Sequence, residues 1–249
     1  EGATPTRNGN SPGAILHPAP VATLVGVNET APGVDKVLLA APRGFCAGVE
    51  MAIKALAWMV RAFEPPVYCY HEMLSAHGSA PDVVAAARRR GGYVVDAVCP
   101  LVTKVHHEVK TRADKGYQIV YVGHEGHEEA VGTMAVAPGA IHRVESPGEV
   151  EQLPDLDGPV AVLAQTTLSH REWSGVLDAT RARFPEIWEP GRSDLCFATT
   201  NRQSALMEIA PRCDAMVVIG SANSSNTKAL ASLADEAGCP RGFRVNSPD

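Results

Sequence analysis

Two periods of apolar and polar positions alternate along this chain, and the switches between them mark out its elements. From residue 36 onward, short β-branched runs give way to longer amphipathic ones. KVLLAA (36–41) predicts a strand, followed by a helix near 47–63. PVYCY (66–70) predicts a second strand, then PDVVAAARRR a helix closed by two glycines. GYVVDAV (92–98) predicts a third strand. PLVTKVHHEVKTRADKG predicts a helix with Pro100 in its first turn and Gly116 just past its end. QIVYVG, GPVAVLAQ and DAMVVIG add three strands, interleaved with helices near 171–184, 200–210 and 227–237. Such alternation predicts an α/β fold with mostly parallel sheets.

Residues 1–34 lack an apolar period and are rich in Pro, Gly, Thr and Asn. They predict a poorly ordered leader without the regions of a secretory signal, in which AILH and ATLVGV could supply short edge pieces. The rest divides into three α/β lobes, 35–98, 99–195 and 196–249. A coarse recurrence supports that division. Three cysteines stand just before helical segments, in GFC-AGVEMAIKAL, AVC-PLVTKVHHEV and DLC-FATTNRQSALMEI. Three strands end in polar clusters, YVGHEGHEE, LAQTTLSH and VIGSANSSN, and a fourth cluster, SAHGS, precedes another helix. A pseudo-repeated unit would set these features at the carboxyl ends of strands, where open α/β sheets bind ligands, and so predicts one shared central site.

Composition narrows the classes. The chain has 249 residues, 45% hydrophobic and 20% charged, as in ordinary globular proteins. A net charge of −6 and a pI near 5.9 argue against a nucleic-acid partner. The one dense basic run, ARRRGG (87–92), suits a solvated helix end. No apolar stretch is long enough to span a membrane. The cysteines at 46, 69, 99, 196, 213 and 239 are far apart in a chain able to bury its own core. That favours metal binding or catalysis over a disulfide framework, in a reducing, cytoplasmic compartment.

PRGFCAG (42–48) puts Cys46 at a tight strand-to-helix turn, where the helix dipole favours a thiolate. A single buried cysteine is more often a small apolar residue than a ligand. Three in the same local position ask for more. Zinc spacing is absent, and so is a CxxCxxC ferredoxin run. Isolated thiolates at 46, 99 and 196 would leave one corner of a cubane cluster open, which suits catalysis. GHEGHEE (123–129) is a loop of solvated charges on the plain reading. As a unit at a strand end it offers an anion-binding imidazole, His127, and a proton donor, Glu129. SANSSN (221–226) would ordinarily be a turn and helix cap, yet its hydroxyls and backbone N–H groups also make a phosphate cradle. SAHG (75–78) and QTT (165–167) are weak by themselves.

Together PRGFCAGVEMAI, DAVCPLVTKVHHEV, GHEGHEEAVGTM, QTTLS, CFATTNRQ and GSANSSN closely resemble the 4-hydroxy-3-methylbut-2-enyl diphosphate reductases, the IspH or LytB family. The resemblance runs from about residue 36 to the C-terminus. It implies a three-lobed α/β fold carrying a [4Fe–4S] cluster on Cys46, Cys99 and Cys196. It implies reductive loss of a hydroxyl from an allylic diphosphate, giving isopentenyl and dimethylallyl diphosphates in the last step of the methylerythritol phosphate pathway. His77, His127, Ser224, Ser225 and Asn226 would bind the diphosphate. Glu129 would supply a proton, and Thr166 would hydrogen-bond the route from Glu129 to the substrate hydroxyl. A ferredoxin or flavodoxin would deliver the electrons.

Two departures stand out. In the family the HE pair, here His71-Glu72, leads on to an HN pair whose histidine also binds the diphosphate, then to a helix and a strand before SAHG. Here HEM runs almost directly into LSAHG, so that histidine has no counterpart. The chain also stops at RVNSPD, before the family's last strands and the serine-bearing turn that completes the phosphate site. A shortened paralogue, a laboratory truncation, or a sequence with segments left out would each give this pattern. The last is the expectation, because removing a strand from an open sheet leaves unpaired edges and lost core. The second functional reading is an impaired iron–sulfur homologue that senses redox state or binds a partner. A third, a cysteine hydrolase or transferase using Cys46 with His77 or His127, has no distinctive order of nucleophile, histidine and acid behind it.

Overall fold

The computed structural model describes residues 23–25, 33–64, 66–67, 80–91, 93–222 and 224–246. Its centre is a four-stranded parallel sheet, whose strands are β-branched because both faces are covered. The strands are β3 (Gln118–Val122), β4 (Ile141–Val144), β5 (Val160–Ala164) and β6 (Ile187–Trp188), in spatial order β4-β3-β5-β6. Two smaller sheets flank this one in sequence. β1 (Thr23–Val25) pairs antiparallel with β2 (Val37–Leu39), and β7 (Met216–Ile219) pairs parallel with β8 (Gly242–Val245). The α/β class with mostly parallel sheets is therefore the one the sequence predicts.

Side chains alternate across the central sheet with period two. Val120, Val122, Val160, Val162 and Ala164 face one way, onto Val150 of α5 (Pro147–Glu151) and Val176 of α6 (His170–Arg183). Ile119, Tyr121, Ala161 and Leu163 face the other, onto Val105 and Val109 of α3 (Pro100–Ala113) and Ala130 of α4 (Glu128–Met134). Helices thus cover both faces. A third core lies between α7 (Phe197–Ile209), β7 and α8 (Ser225–Glu236), and Leu38 of β2 packs against it.

The helices expected near 47–63, over PDVVAAARRR and PLVTKVHHEVKTRADKG, and near 171–184, 200–210 and 227–237 form as α1 (Ala47–Ala62), α2 (Pro81–Arg89), α3, α6, α7 and α8, the last three starting one to three residues earlier. ATLVGV supplies β1, inside the segment expected to be disordered. GYVVDAV departs from expectation, because residues 93–98 join no ladder. Among the described residues they pair with no strand, and the Asp96 carboxylate instead takes the Val98 N–H at 2.9 Å, a local bond that competes with strand pairing. The strand expected over PVYCY falls mostly outside the described residues. α4, α5, β4, β6 and β8 are short elements that no long periodic run announces. Met73 and Leu74, where a left-out segment is expected, lie outside the described residues.

Candidate active site

Because β3 and β5 pair in parallel with Val122 opposite Ala164, the segments leaving their carboxyl ends start side by side. The Gln165 N–H donates to the Val122 carbonyl, and the Gln165 side-chain oxygen accepts from the His124 N–H at 3.0 Å. The GHEGHEE and QTT segments are thereby locked together. At Gly123 the chain passes so close to its neighbours that a Cβ would stand 2.7 Å from Tyr121 Cε1 and 3.2 Å from Gln165 Oε1. Tyr121 is fully buried and cannot swing aside. Gly123→Ala should therefore cost about 1–3 kcal/mol, read as a lower denaturation midpoint with unchanged slope.

The second half of GHEGHEE is helical. His127 caps α4, its Nδ1 accepting the Glu129 N–H at 3.2 Å, which in the neutral ring leaves the proton on Nε2. Glu128 and Glu129 occupy the first turn, where the helix dipole favours acidic side chains. Glu129 itself has no exposed surface. Its Oε1 accepts from the Thr166 N–H at 2.7 Å and its Oε2 from the Thr166 hydroxyl at 2.9 Å. Burial pushes the Glu129 carboxyl up to about 7; the Asp194 charge adds to that, and the two bonds from Thr166 oppose it. A carboxyl poised near neutrality can hold a proton and give it up. His124, at the start of the segment, pairs instead with Glu172 at the capping box of α6, 3.1 Å away. That bond holds the Glu172 carboxyl down at about 2.

Thr166 reaches further. Its carbonyl accepts the Cys196 N–H at 2.8 Å, so one residue bridges the buried acid and the thiol turn that opens α7. Cys46 caps α1, its sulfur accepting from the Val49 N–H at 3.5 Å, and Cys99 directly precedes α3. A Cβ on Gly48 would stand 3.4 Å from the Cys99 sulfur and 3.8 Å from that of Cys46, so a side chain there would fill the space both thiols border.

The three cysteine turns are also tied through their helices. Arg202 of α7 donates to the Gly44 carbonyl beside Cys46 at 2.7 Å. Lys104 of α3 bonds Asp194, two residues before Cys196, at 2.8 Å, and also the Arg192 carbonyl at 3.3 Å. Asp194 is fully buried and its second oxygen accepts the Ala164 N–H at 3.1 Å, anchoring the Cys196 turn to the end of β5. Among the described residues, no three His, Cys, Asp or Glu side chains close around a single metal-ion position. A cluster of several irons spaces its thiolates more widely than one ion does. Cys46, Cys99 and Cys196 are free thiols, as are Cys213 and the buried Cys239, which pack in the third core.

The structure thus brings Glu129, Thr166 and Cys196 into one bonded chain and sets Cys46 beside Cys99. Ser224, Ser225 and Asn226 follow β7 at the start of α8, which Ser224 caps by accepting the Thr227 N–H at 3.2 Å. His77 and Cys69 lie outside the described residues. Lys104, Asp194, Arg202 and Tyr121 went unread in the sequence, since each looks like an ordinary helix, loop or strand residue until its partner is in place. A cleft of about 690 Å³ opens at the opposite, amino-terminal end of the central sheet, between Tyr117, Phe184 and Trp188, away from all of these groups.

Known proteins resemble this chain in both sequence and fold. The family model described as LytB protein matches residues 37–75 and 73–249, two stretches that meet where HEM runs into LSAHG. A relative from Rhodopirellula baltica, named 4-hydroxy-3-methylbut-2-enyl diphosphate reductase, is 43% identical over 245 residues, covering 86% of this chain and 76% of its own. The solved structure of the E-1-hydroxy-2-methyl-but-2-enyl-4-diphosphate reductase from Plasmodium falciparum superposes with a TM-score of 0.78 at 31% identity, over 83% of this chain and 75% of that one. A second solved structure, of (E)-4-hydroxy-3-methyl-but-2-enyl diphosphate reductase, the terminal enzyme of the non-mevalonate pathway, gives a TM-score of 0.60 at 26% identity, over 84% and 86%. With the family model matched across nearly all of residues 37–249, the chain belongs to the LytB protein family.

Proposed function

We infer that this chain catalyses the reductive dehydroxylation of 4-hydroxy-3-methylbut-2-enyl diphosphate to isopentenyl and dimethylallyl diphosphates, the last step of the methylerythritol phosphate route. The observation that carries the reading is the Glu129–Thr166–Cys196 chain, which sets a buried acid one residue from a thiol turn. Cys46, Cys99 and Cys196 would hold a [4Fe–4S] cluster, on which the three proposed lobes, 35–98, 99–195 and 196–249, would converge. The free thiols, the approach of the Cys46 and Cys99 sulfurs to Gly48 and the ties through Arg202 and Lys104 suit that group. When bound, the cluster supplies two electrons one at a time and an iron able to act as a Lewis acid on the leaving oxygen. Those electrons would come from a ferredoxin or flavodoxin, and the reducing cytoplasm would keep the thiols free.

The chain's own residues supply the rest. The overall change consumes two electrons and two protons and releases the hydroxyl as water. Glu129 gives the proton that leaves with that hydroxyl, and the Thr166 hydroxyl holds the carboxyl in place and lies on the proton's route. His127, with its proton on Nε2, donates to a diphosphate oxygen, as do His77 and the serines of the Ser224–Asn226 turn at the amino terminus of α8. The Asn226 amide NH2 would donate to the same diphosphate, while its Oδ1, buried and without a partner among the described residues, can only accept. Asn226→Ala should weaken substrate binding by about 1.5–3 kcal/mol, the size of one hydrogen bond to a charged group. An unchanged dissociation constant would move the diphosphate elsewhere. The reading as a whole is tested by anaerobic turnover of the iron-loaded protein with a chemically reduced donor and identification of both products. A protein with a full iron complement and no turnover would be the impaired homologue instead.

A further inference from the structure

The reading above leaves one buried pair of hydroxyls without a task. Tyr121 lies on β3 in an otherwise apolar layer with Val105, Val109, Ala130 and Leu163. Its ring has no exposed surface, and its hydroxyl has no hydrogen-bond partner among the described residues. The hydroxyl of Thr133 is equally buried and equally unpaired. Thr133 comes one turn after Glu129 on α4, so the two side chains share a face of that helix. The Thr133 hydroxyl lies near the Tyr121 phenol without meeting hydrogen-bond geometry, and the Glu129 charge also bears on that phenol. Burial first, and then Glu129, pushes that phenol well above its ordinary range, so it stays a neutral donor throughout.

Phenylalanine would fill the same layer without stranding a polar atom, and valine would do so at 133. A buried hydroxyl that finds no partner is costly, and two of them beside one carboxyl describe a polar site for a small neutral ligand. A water needs two to four polar partners. Tyr121 Oη, Thr133 Oγ1 and a free lone pair of the Glu129 carboxyl would provide three.

We propose that Tyr121 and Thr133 are positioning residues that hold one water against the inner side of the Glu129 carboxyl and so set its acidity. The proposal rests on the reading of Glu129 as the acid. The water and the hydroxyls behind it stabilise the carboxylate, and removing either hydroxyl withdraws a donor and some solvation together, so both losses act in the same direction. The other groups facing Glu129 stay in place in every variant. They are Thr166 at the end of β5, Asp194 before α7 with its partner Lys104 on α3, and His127 at the cap of α4 itself.

The test is infrared difference spectroscopy of the iron-loaded protein across neutral pH, following the protonated-carboxyl band that Glu129→Gln abolishes. In the parent its midpoint should lie about 7. Tyr121→Phe and Thr133→Val should each raise it by about one pH unit, the scale of one lost hydrogen bond to a charged group. The alkaline limb of turnover should move the same way, while Thr133→Ser keeps the parental midpoint. A purely packing role for either residue would change melting temperature and leave the midpoint alone. A folded Tyr121→Phe or Thr133→Val protein with an unmoved midpoint overturns the proposal and leaves the acid role of Glu129 intact. Absence of any band that depends on Glu129 would instead sink the acid assignment itself.

Discussion

Glu129→Gln should lower turnover by about 10²–10⁴-fold, the usual contribution of a general acid, with iron content and substrate affinity near those of the parent. Gln keeps the shape of the side chain: its oxygen can still accept from the Thr166 N–H and its NH2 can donate to the Thr166 hydroxyl oxygen, where the carboxylate now accepts at 2.7 and 2.9 Å. What it loses is the proton. A surface glutamate would tolerate the change, but Glu129 has no exposed surface and its carboxyl is poised near neutrality by burial. Stability supplies an independent control. The carboxyl is raised from 4.5 to about 7, so the folded state resists its ionisation. The parent is therefore unburdened below about pH 4.5 and loses about 3 kcal/mol as pH rises from there through 7. Glu129→Gln has no charge to bury, so its thermal midpoint should fall less between pH 5 and 8 than the parent's. Lost turnover in a protein at least as stable as the parent at pH 8 isolates the acid. Turnover within a few-fold of the parent would hand the proton to another residue or a water.

The strong periodic signals in this sequence were the legible ones. α1, α3, α6, α7 and α8, and the strands β3, β5 and β7, sit where long amphipathic or β-branched runs predict them. The short elements were not legible, because five residues such as PGEVE carry too little periodicity to separate a helix from a turn. GYVVDAV has strand composition, but pairing depends on a neighbour that composition does not contain. At the site, Glu129 and Thr166 were readable as strand-end residues, and their contact follows from the parallel pairing of β3 with β5. Asp194 and Arg202 carried no such signal, since SDLC and TTNRQ look like a solvated loop and a solvated helix face. Only the fold reveals that Asp194 is buried against Ala164 and Lys104, and that Arg202 reaches across to Gly44.

Cys99→Ser should remove most of the iron and bring turnover to background. Cys99 borders the same space at Gly48 as Cys46, and its helix is bound to the Cys196 turn through Lys104 and Asp194. A serine hydroxyl is nearly isosteric but is a hard, weakly acidic ligand, whereas iron–sulfur clusters are held by soft thiolates. A mere outer-shell partner of a metal is worth about 10–100-fold in affinity, so loss of one of three direct ligands should exceed that. The comparison that decides the matter is Cys239→Ser. Cys239 is also buried, at 4% exposure, but it packs in the third core with Leu206, Ile209 and Ala234. Its substitution should lower the melting temperature modestly, because the smaller, more polar serine packs less well among these side chains. The Cys213 and Arg241 carbonyls can still accept from its hydroxyl, and the iron per protein stays at the parental value. The two variants thus separate in opposite directions. One loses iron with its fold largely kept, and the other keeps iron with a weaker fold. Full iron retention in a folded Cys99→Ser protein would remove Cys99 from the ligand set, and with it the cluster on which the proposed reaction depends.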